Sequence, residues 1–297
     1  MKNQLWQLSV TTSIEAEEAV AALLEDLFGQ APAIYTDADS QTAAVSVYCP
    51  KLHQSEAELR TRLRTGLRQI KNRGLNVAAA EVCLRRVRRS DWVESWKKHF
   101  QPLAIGGALL IKPSWSRRRP RAGQAVVVLD PGLSFGTGQH PTTAFCLERL
   151  VAARRLTRSQ SLLDIGTGSG ILAIAAAKLG YHPVRAFDVD PVAIRAAKAN
   201  LIQNGVEGLV RLSRRDLTRL PLRAAERFEV ICANLSSDLL VGQSKRILNR
   251  LKPSGTLILA GILKTQFAQV RRALARAGLK LLVARRVNEW QSGEFGG

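Results

Sequence analysis

The stretch LLDIGTGSGILAIAAAKLG, residues 162–180, constrains the fold of this chain more than any other. An apolar strand runs into Asp164, Gly166, Gly168 and Gly170 follow, and a helix begins at once. Glycine permits a tight turn and lets the backbone approach a ligand closely. The helix that follows offers unpaired N–H groups and the positive end of its dipole. A glycine pattern alone says little, but between a strand and a helix it marks a nucleoside-binding α/β unit. The next apolar run, AFDVD, ends at Asp188, roughly twenty residues beyond the glycines, where an acidic side chain accepts hydrogen bonds from both ribose hydroxyls. Capping of the helix that starts at Pro191 is the competing role for an aspartate here. Asp190, directly before that proline, suits it better.

The glycine spacing also discriminates between ligands. A dinucleotide site typically reads G-x-G-x-x-G and seats a pyrophosphate on the helix. This loop reads D-x-G-x-G-x-G. S-adenosylmethionine has no pyrophosphate, and its ammonium group favours a carboxylate nearby, which Asp164 supplies. The spacing therefore prefers the methyl donor to a nicotinamide dinucleotide.

Around this loop, strands and helices alternate from about residue 145. Strands are expected at 161–165, 184–188, 209–212, 228–233, 256–260 and 280–286, with helices between them, such as 171–179 and 191–204. Such alternation builds a mostly parallel sheet with helices on both faces. Ligands bind outside the carboxyl ends of its strands, at the topological switch point. The first ninety residues read differently. Strand 5–11, helix 15–28, strands 33–35 and 43–48, helix 55–70 and strand 81–87 follow in the β-α-β-β-α-β order of a ferredoxin-like split unit. The expected organisation is a ferredoxin-like α+β domain over 1–90, a linker over 91–125 that holds a strand at 108–111 ended by Pro113, and a Rossmann-like α/β domain with a mostly parallel seven-stranded sheet over 126–297.

Two further motifs carry polar residues toward the ends of those strands. LDPGLSFGTGQHPTT, residues 129–143, holds three glycines with Phe135, Thr137, His140, Thr142 and Thr143. It is either a surface turn leading into a Pro-Thr-Thr helix start or a glycine loop closing over the methionine end of the donor. Asn234, at the end of strand 228–233, either holds the donor or the incoming nucleophile, or caps the helix that follows.

Charge and cysteines narrow the setting. The chain carries 44 Lys and Arg against 24 Asp and Glu, a net +20. Residues 1–50 hold one basic and seven acidic side chains, residues 51–100 thirteen basic and five acidic, so the excess is spread and forms no tail. A polyanionic neighbourhood such as RNA is one reading, and an arginine-rich solvated surface is the other. Arg117, Arg118, Arg119 and Arg121 form an exposed basic turn open to the same two readings. The acidic helix with Glu15, Glu17, Glu18, Glu25 and Asp26 either meets a basic protein or is simply solvated. Cys49, Cys83, Cys146 and Cys232 make no CxxC pair, so no metal site is expected, and reduced thiols in a cytoplasm fit best. No secretory signal or membrane span is expected either.

The chain resembles the PrmA family, the methyltransferases of large-subunit ribosomal protein eleven, over nearly its whole length. DWVESWKKHFQPL and IKPSW are similar to that family's linker region, and LDPGLSFGTGQHPTT to its most distinctive motif. DIGTGSGILAIAA, FDVDPVAI, ANL and a terminal EW follow in the family's order. The resemblance implies donor contacts at Thr143, Gly166, Asp188 and Asn234, and a loop with Phe135, Thr137 and His140 beside the donor. It implies an N-terminal domain that recognises the ribosomal protein, and methylation of lysine ε-amines and of the N-terminal α-amine. A monomer is expected. The competing readings are methylation of another protein's lysines or of rRNA, a nicotinamide-dependent oxidoreductase, and a donor-binding scaffold without turnover. Asn234 and His140 are read as positioning groups, because methyl transfer to a neutral amine needs no dedicated base.

Overall fold

In a computed structural model, residues 4–29, 32–37, 40–52, 54–88, 101–130 and 140–297 are described. The chain divides into two compact units, Met1–Phe100 and Gln101–Gly297.

The first unit contains β1 (Gln4–Ser13), α1 (Glu17–Phe28), β2 (Ala33–Asp37), β3 (Thr42–Cys49), α2 (Glu56–Asn72) and β4 (Glu81–Arg88). Its strands form one antiparallel sheet in the order β2-β3-β1-β4, the split arrangement expected from the element order. The helices form where the sequence supplies ends and a stripe. Gly29 takes the left-handed conformation (φ +66°) that stops α1. The Ser55 and Glu58 side chains close a reciprocal capping box at the start of α2. Leu59, Leu63, Leu67 and Ile70 of α2 and Val20 and Leu24 of α1 then pack on Leu8, Val10, Val45 and Val47 of the sheet.

The second unit begins with a small sheet of β5 (Leu103–Ile105), β6 (Leu109–Lys112) and β7 (Ala125–Val128). This corrects the expectation of a linker over 91–125. Residues 91–100 lie outside the described residues, but Ile105, Leu109 and Ile111 are buried in the same apolar cluster as Phe145, Leu162 and Ile174. The strands are short and interrupted by Gly106-Gly107 and an arginine-rich turn, so they carry little periodicity of their own. Burial against the larger sheet makes them strands. The Asn204 side chain fixes the last of them, accepting the Val128 N–H at 2.8 Å and donating to its carbonyl at 2.7 Å.

The main sheet comprises β8 (Leu162–Ile165), β9 (Val184–Asp188), β10 (Val210–Arg214), β11 (Phe228–Asn234), β12 (Leu251–Leu263), β13 (Lys280–Val287) and β14 (Trp290–Gly296). Their order is β10-β9-β8-β11-β12-β14-β13, with β14 antiparallel to both neighbours and the other recorded pairings parallel. The helices are α3 (Pro141–Ala153), α4 (Ile171–Lys178), α5 (Pro191–Gln203), α6 (Ser237–Gly242), α7 (Ser244–Leu248) and α8 (Phe267–Arg276). Side chains alternate between the faces. Val230 and Cys232 of β11 join the cluster under α3 and α4, whereas Ile231 and Ala233 join the one under α6 and α8. All four residues of β8 are buried, as a central strand covered on both faces requires. From β8 the chain winds outward through β9 to β10, then restarts on the other side at β11. The crevice at the carboxyl ends of β8 and β11 is therefore the switch point at which ligands bind in such sheets. β14 is the seventh strand of the expected sheet, at a position not assigned from the sequence. It becomes a strand by pairing on both sides, with β12 and β13.

The switch-point site

The glycine loop folds as the sequence requires. Gly166, Gly168 and Gly170 all have positive φ, +71°, +54° and +82°. Two of them also need the missing side chain. A Cβ on Gly166 would lie 2.5 Å from Leu235 Cδ2, and one on Gly170 would lie 3.3 Å from Ala197 Cα, where α5 crosses α4. Asp188 closes this loop from the next strand. Its Oδ2 accepts the Gly168 N–H at 2.9 Å and its Oδ1 accepts the Asp190 N–H at 3.0 Å. Each carboxylate oxygen keeps a further lone pair for a ligand donor. Asp190 caps α5 as assigned, accepting the Val192 N–H at 2.7 Å.

Asp164 sits beneath the loop and is 1% exposed. Its Oδ2 accepts the Thr167 hydroxyl at 2.5 Å, while its Oδ1 has no hydrogen-bond partner. Burial pushes this carboxyl up to about 7, and the nearby negative charge of Asp188 adds to the rise. The Thr167 hydroxyl and the Ala173 backbone amide oppose it. A buried carboxyl with an open acceptor, next to a second carboxylate, is poised for a cation.

A second group converges from α3, β11 and β14. His140 lies at the start of α3, where Pro141 opens the helix. The Thr142 hydroxyl joins two neighbours, receiving the Asn234 side-chain N–H at 3.2 Å and lying 2.7 Å from His140 Nδ1. The His140 ring meets Trp290 of β14 edge-on, with centroids 5.4 Å apart. Next to this chain, the Thr143 hydroxyl is buried with no hydrogen-bond partner, and so is the Trp290 indole N–H. Asn234 does not cap α6, whose N-cap is Ser236. Its amide reaches sideways to α3, and its Oδ1 is accommodated by Gly261, where a Cβ would come within 2.8 Å.

Asp164, Gly166, Gly168 and Asp188 thus gather at the ends of β8 and β9. Thr143, His140 and Asn234 gather at the end of β11. Phe135 and Thr137 lie outside the described residues. Three contributors were not assigned a role from sequence. Thr142 stood in a motif without its bridging function, Trp290 stood only in the terminal EW, and Gly261 gave no signal, since its value is the room it leaves for Asn234.

The site fits S-adenosylmethionine on its own chemistry. It combines a loop of three glycines at positive φ, an unpartnered buried carboxylate oxygen suited to an ammonium, and an unpartnered hydroxyl. Strand order and site together define a Rossmann-like class I methyltransferase. The family model described as "Ribosomal protein L11 methyltransferase (PrmA)" matches residues 4–295. Curated proteins named "Ribosomal protein L11 methyltransferase" are similar along the chain. That of Brevibacillus brevis is 31% identical, covering 96% of each chain, and that of Geobacter sulfurreducens is 42% identical, covering 73% of this chain and 69% of its own. The solved structure of a ribosomal protein L11 methylase from Lactobacillus delbrueckii subsp. bulgaricus superposes with a TM-score of 0.59 at 29% identity, over 66% of this chain and 98% of that one. The chain belongs to the ribosomal protein L11 methyltransferase family and is an S-adenosylmethionine-dependent methyltransferase.

Proposed function

We propose that this enzyme methylates lysine ε-amines, and the N-terminal α-amine, of large-subunit ribosomal protein eleven. Family membership across both units supports the acceptor, with the N-terminal unit recognising the ribosomal protein. The observation that carries the reading is the Asn234–Thr142–His140 chain at the end of β11, flanked by the buried Thr143 hydroxyl and the Asp164 carboxyl. It holds polar groups in place at the strand end where the acceptor amine would arrive.

In this assignment Gly166 and Gly168 bring backbone to the donor, Asp188 takes the ribose hydroxyls, and Asp164 faces the ammonium. Thr143, Phe135 and Thr137 border the methionine end. S-adenosylmethionine supplies a methyl group on a sulfonium sulfur, a good leaving group for in-line displacement. The acceptor nitrogen forms the new C–N bond as the C–S bond breaks, and the amine proton leaves to water. A free lysine, with a pKa of about 10.4, is almost wholly protonated at neutral pH. Desolvation at the strand ends lowers that value and exposes the lone pair. Asn234 donates through Nδ2 to Thr142, which leaves Oδ1 to accept an amine N–H and orient the lone pair. Orientation of this kind is worth up to about 7–11 kcal/mol. His140 is a positioning residue, holding Thr142 through Nδ1. The enzyme acts as a cytoplasmic monomer, on acceptor that is free or on the ribosome close to rRNA.

The test is to incubate the protein with S-adenosylmethionine and free ribosomal protein eleven and to record the acceptor's intact mass. Mass increments in steps of one methyl group, absent with Asp188→Ala, are expected. No increment from protein that demonstrably binds the donor would remove the acceptor assignment and leave the fold and cofactor standing.

A further inference from the structure

The first unit carries a feature that methyl transfer does not use. Along α2, Arg60, Arg64, Arg68 and Lys71 recur at intervals of four, four and three, which places them on one side of the helix. Arg64, Arg68 and Lys71 are exposed and Arg60 is half-buried. Among the described residues none of the four makes an ion pair. The only acids of α2, Glu56 and Glu58, stand in its first turn, and Glu58 is engaged by the Ser55 cap. Beyond that turn the helix has cations and no anion.

Local physics does not account for this stripe. Like charges at i,i+4 destabilise a helix by roughly 0.2–0.5 kcal/mol per pair. The helix dipole rewards cations only in the last turn, which covers Lys71 and leaves Arg60 and Arg64 unexplained. Nor is the stripe suited to the proposed acceptor, because a lysine-bearing protein is repelled by it. A membrane surface fits poorly too. The apolar side of α2, Leu59, Leu63, Leu67 and Ile70, is buried against the sheet and has nothing to insert into lipid. Three of the four cations are arginine, whose planar fork matches phosphate oxygens in pairs. We infer that this face of α2 is a docking surface for the phosphodiester backbone of RNA. The choice of RNA over other phosphodiesters rests on the proposed ribosomal acceptor, whereas the basic stripe stands without it.

The experiment measures binding of the full-length protein to a short fluorescein-labelled RNA hairpin by anisotropy, in rising KCl. Two variants are compared: Arg60→Gln/Arg64→Gln/Arg68→Gln/Lys71→Gln, and a control that removes the same charge from the second unit, Arg271→Gln/Arg272→Gln/Arg276→Gln/Lys280→Gln. The α2 variant should bind at least about tenfold more weakly, with its log–log salt slope reduced by about 3, as expected for four lost phosphate contacts. The control should change little. Far-UV circular dichroism and thermal melts show that the variants remain folded in both units, and donor binding by calorimetry, which belongs to the second unit, reports separately on the catalytic reading. Equal losses in both variants would reduce the effect to net charge and overturn the inference, as would no loss in the α2 variant. Displacement of the RNA by polyglutamate at equal charge would assign the surface to an acidic protein instead.

Discussion

The Asn234 side-chain amide donates to the Thr142 hydroxyl at 3.2 Å, joining the end of the central strand β11 to the first turn of α3 across 92 residues of sequence. The same hydroxyl lies against His140 Nδ1, so one threonine orients both polar groups. Thr142→Val keeps the shape and removes the hydroxyl. It leaves the Asn234 amide, and a ring nitrogen of His140, without this partner. A loss of about 1–3 kcal/mol is expected for such a deletion, read as a fall in kcat of roughly tenfold or more with donor Kd nearly unchanged. A fall in donor affinity with normal kcat would place Thr142 with the donor instead.

With Asp164 facing the donor's ammonium as proposed, donor binding should be sensitive to pH. Its carboxyl is raised to about 7 in the folded chain, chiefly by burial, and the cationic donor favours the ionised form. Affinity should therefore rise between about pH 6 and 8, with proton release on binding, measurable by calorimetry in buffers of different ionisation enthalpy. Asp164→Asn should bind more weakly and without the proton release. A parallel pH dependence in that variant would point to another group.

Stability of the donor-free enzyme should move the opposite way. The folded value of Asp164 lies above the unfolded value of about 3.9. Its contribution is therefore fully present below that value and is lost as pH rises toward 7. Thermal melts without donor should show Asp164→Asn more stable than the parent at pH 8 and the difference vanishing near pH 4. An unchanged difference across that range would contradict the burial of an ionisable group here.

Gly166→Ala tests the cradle. The substitution places a Cβ 2.5 Å from Leu235 Cδ2 and forces alanine to φ +71°. The left-handed conformation alone costs about 1–2 kcal/mol. Donor affinity should drop, and Gly166→Ala/Leu235→Ala should recover only the steric part of the loss. Complete recovery would mean that the backbone conformation at Gly166 is unimportant.

Asp188→Ala removes the acceptor of two backbone amides, those of Gly168 and Asp190. Hydrogen bonds to a charged group contribute about 1.5–3 kcal/mol each, so donor binding should fall by more than tenfold. Hydrogen exchange at Gly168 and Asp190 should quicken even without donor. If exchange stays slow while binding is lost, Asp188 acts on the ribose alone and does not shape the loop.

Much of this arrangement was legible in the chain. The strand–glycine–helix run, the aspartate at the end of the next strand and the Asp190-Pro191 cap are local patterns, set by φ requirements and short-range hydrogen bonds. The ferredoxin-like unit was legible for the same reason, since Ser55, Glu58 and Gly29 mark helix ends and the apolar stripes mark their faces. Less legible were β5 and β7, which lie in a stretch read as a connector, and β14, whose position was not assigned. Their side chains become a strand pattern only when the rest of the sheet covers them.

The sequence by itself determined which residues have the chemistry to hold a nucleoside and where each strand places them, because glycine conformations, caps and apolar periodicity act over a few residues. Tertiary structure alone decided that Asn234 turns to Thr142 rather than capping α6, that Trp290 closes on His140, and that Gly261 is glycine so that Asn234 has room. Those contacts join residues from about 27 to 150 positions apart. They exist because the winding reverses at β8 and an antiparallel strand enters between β12 and β13, and no local propensity encodes which distant side chains then meet.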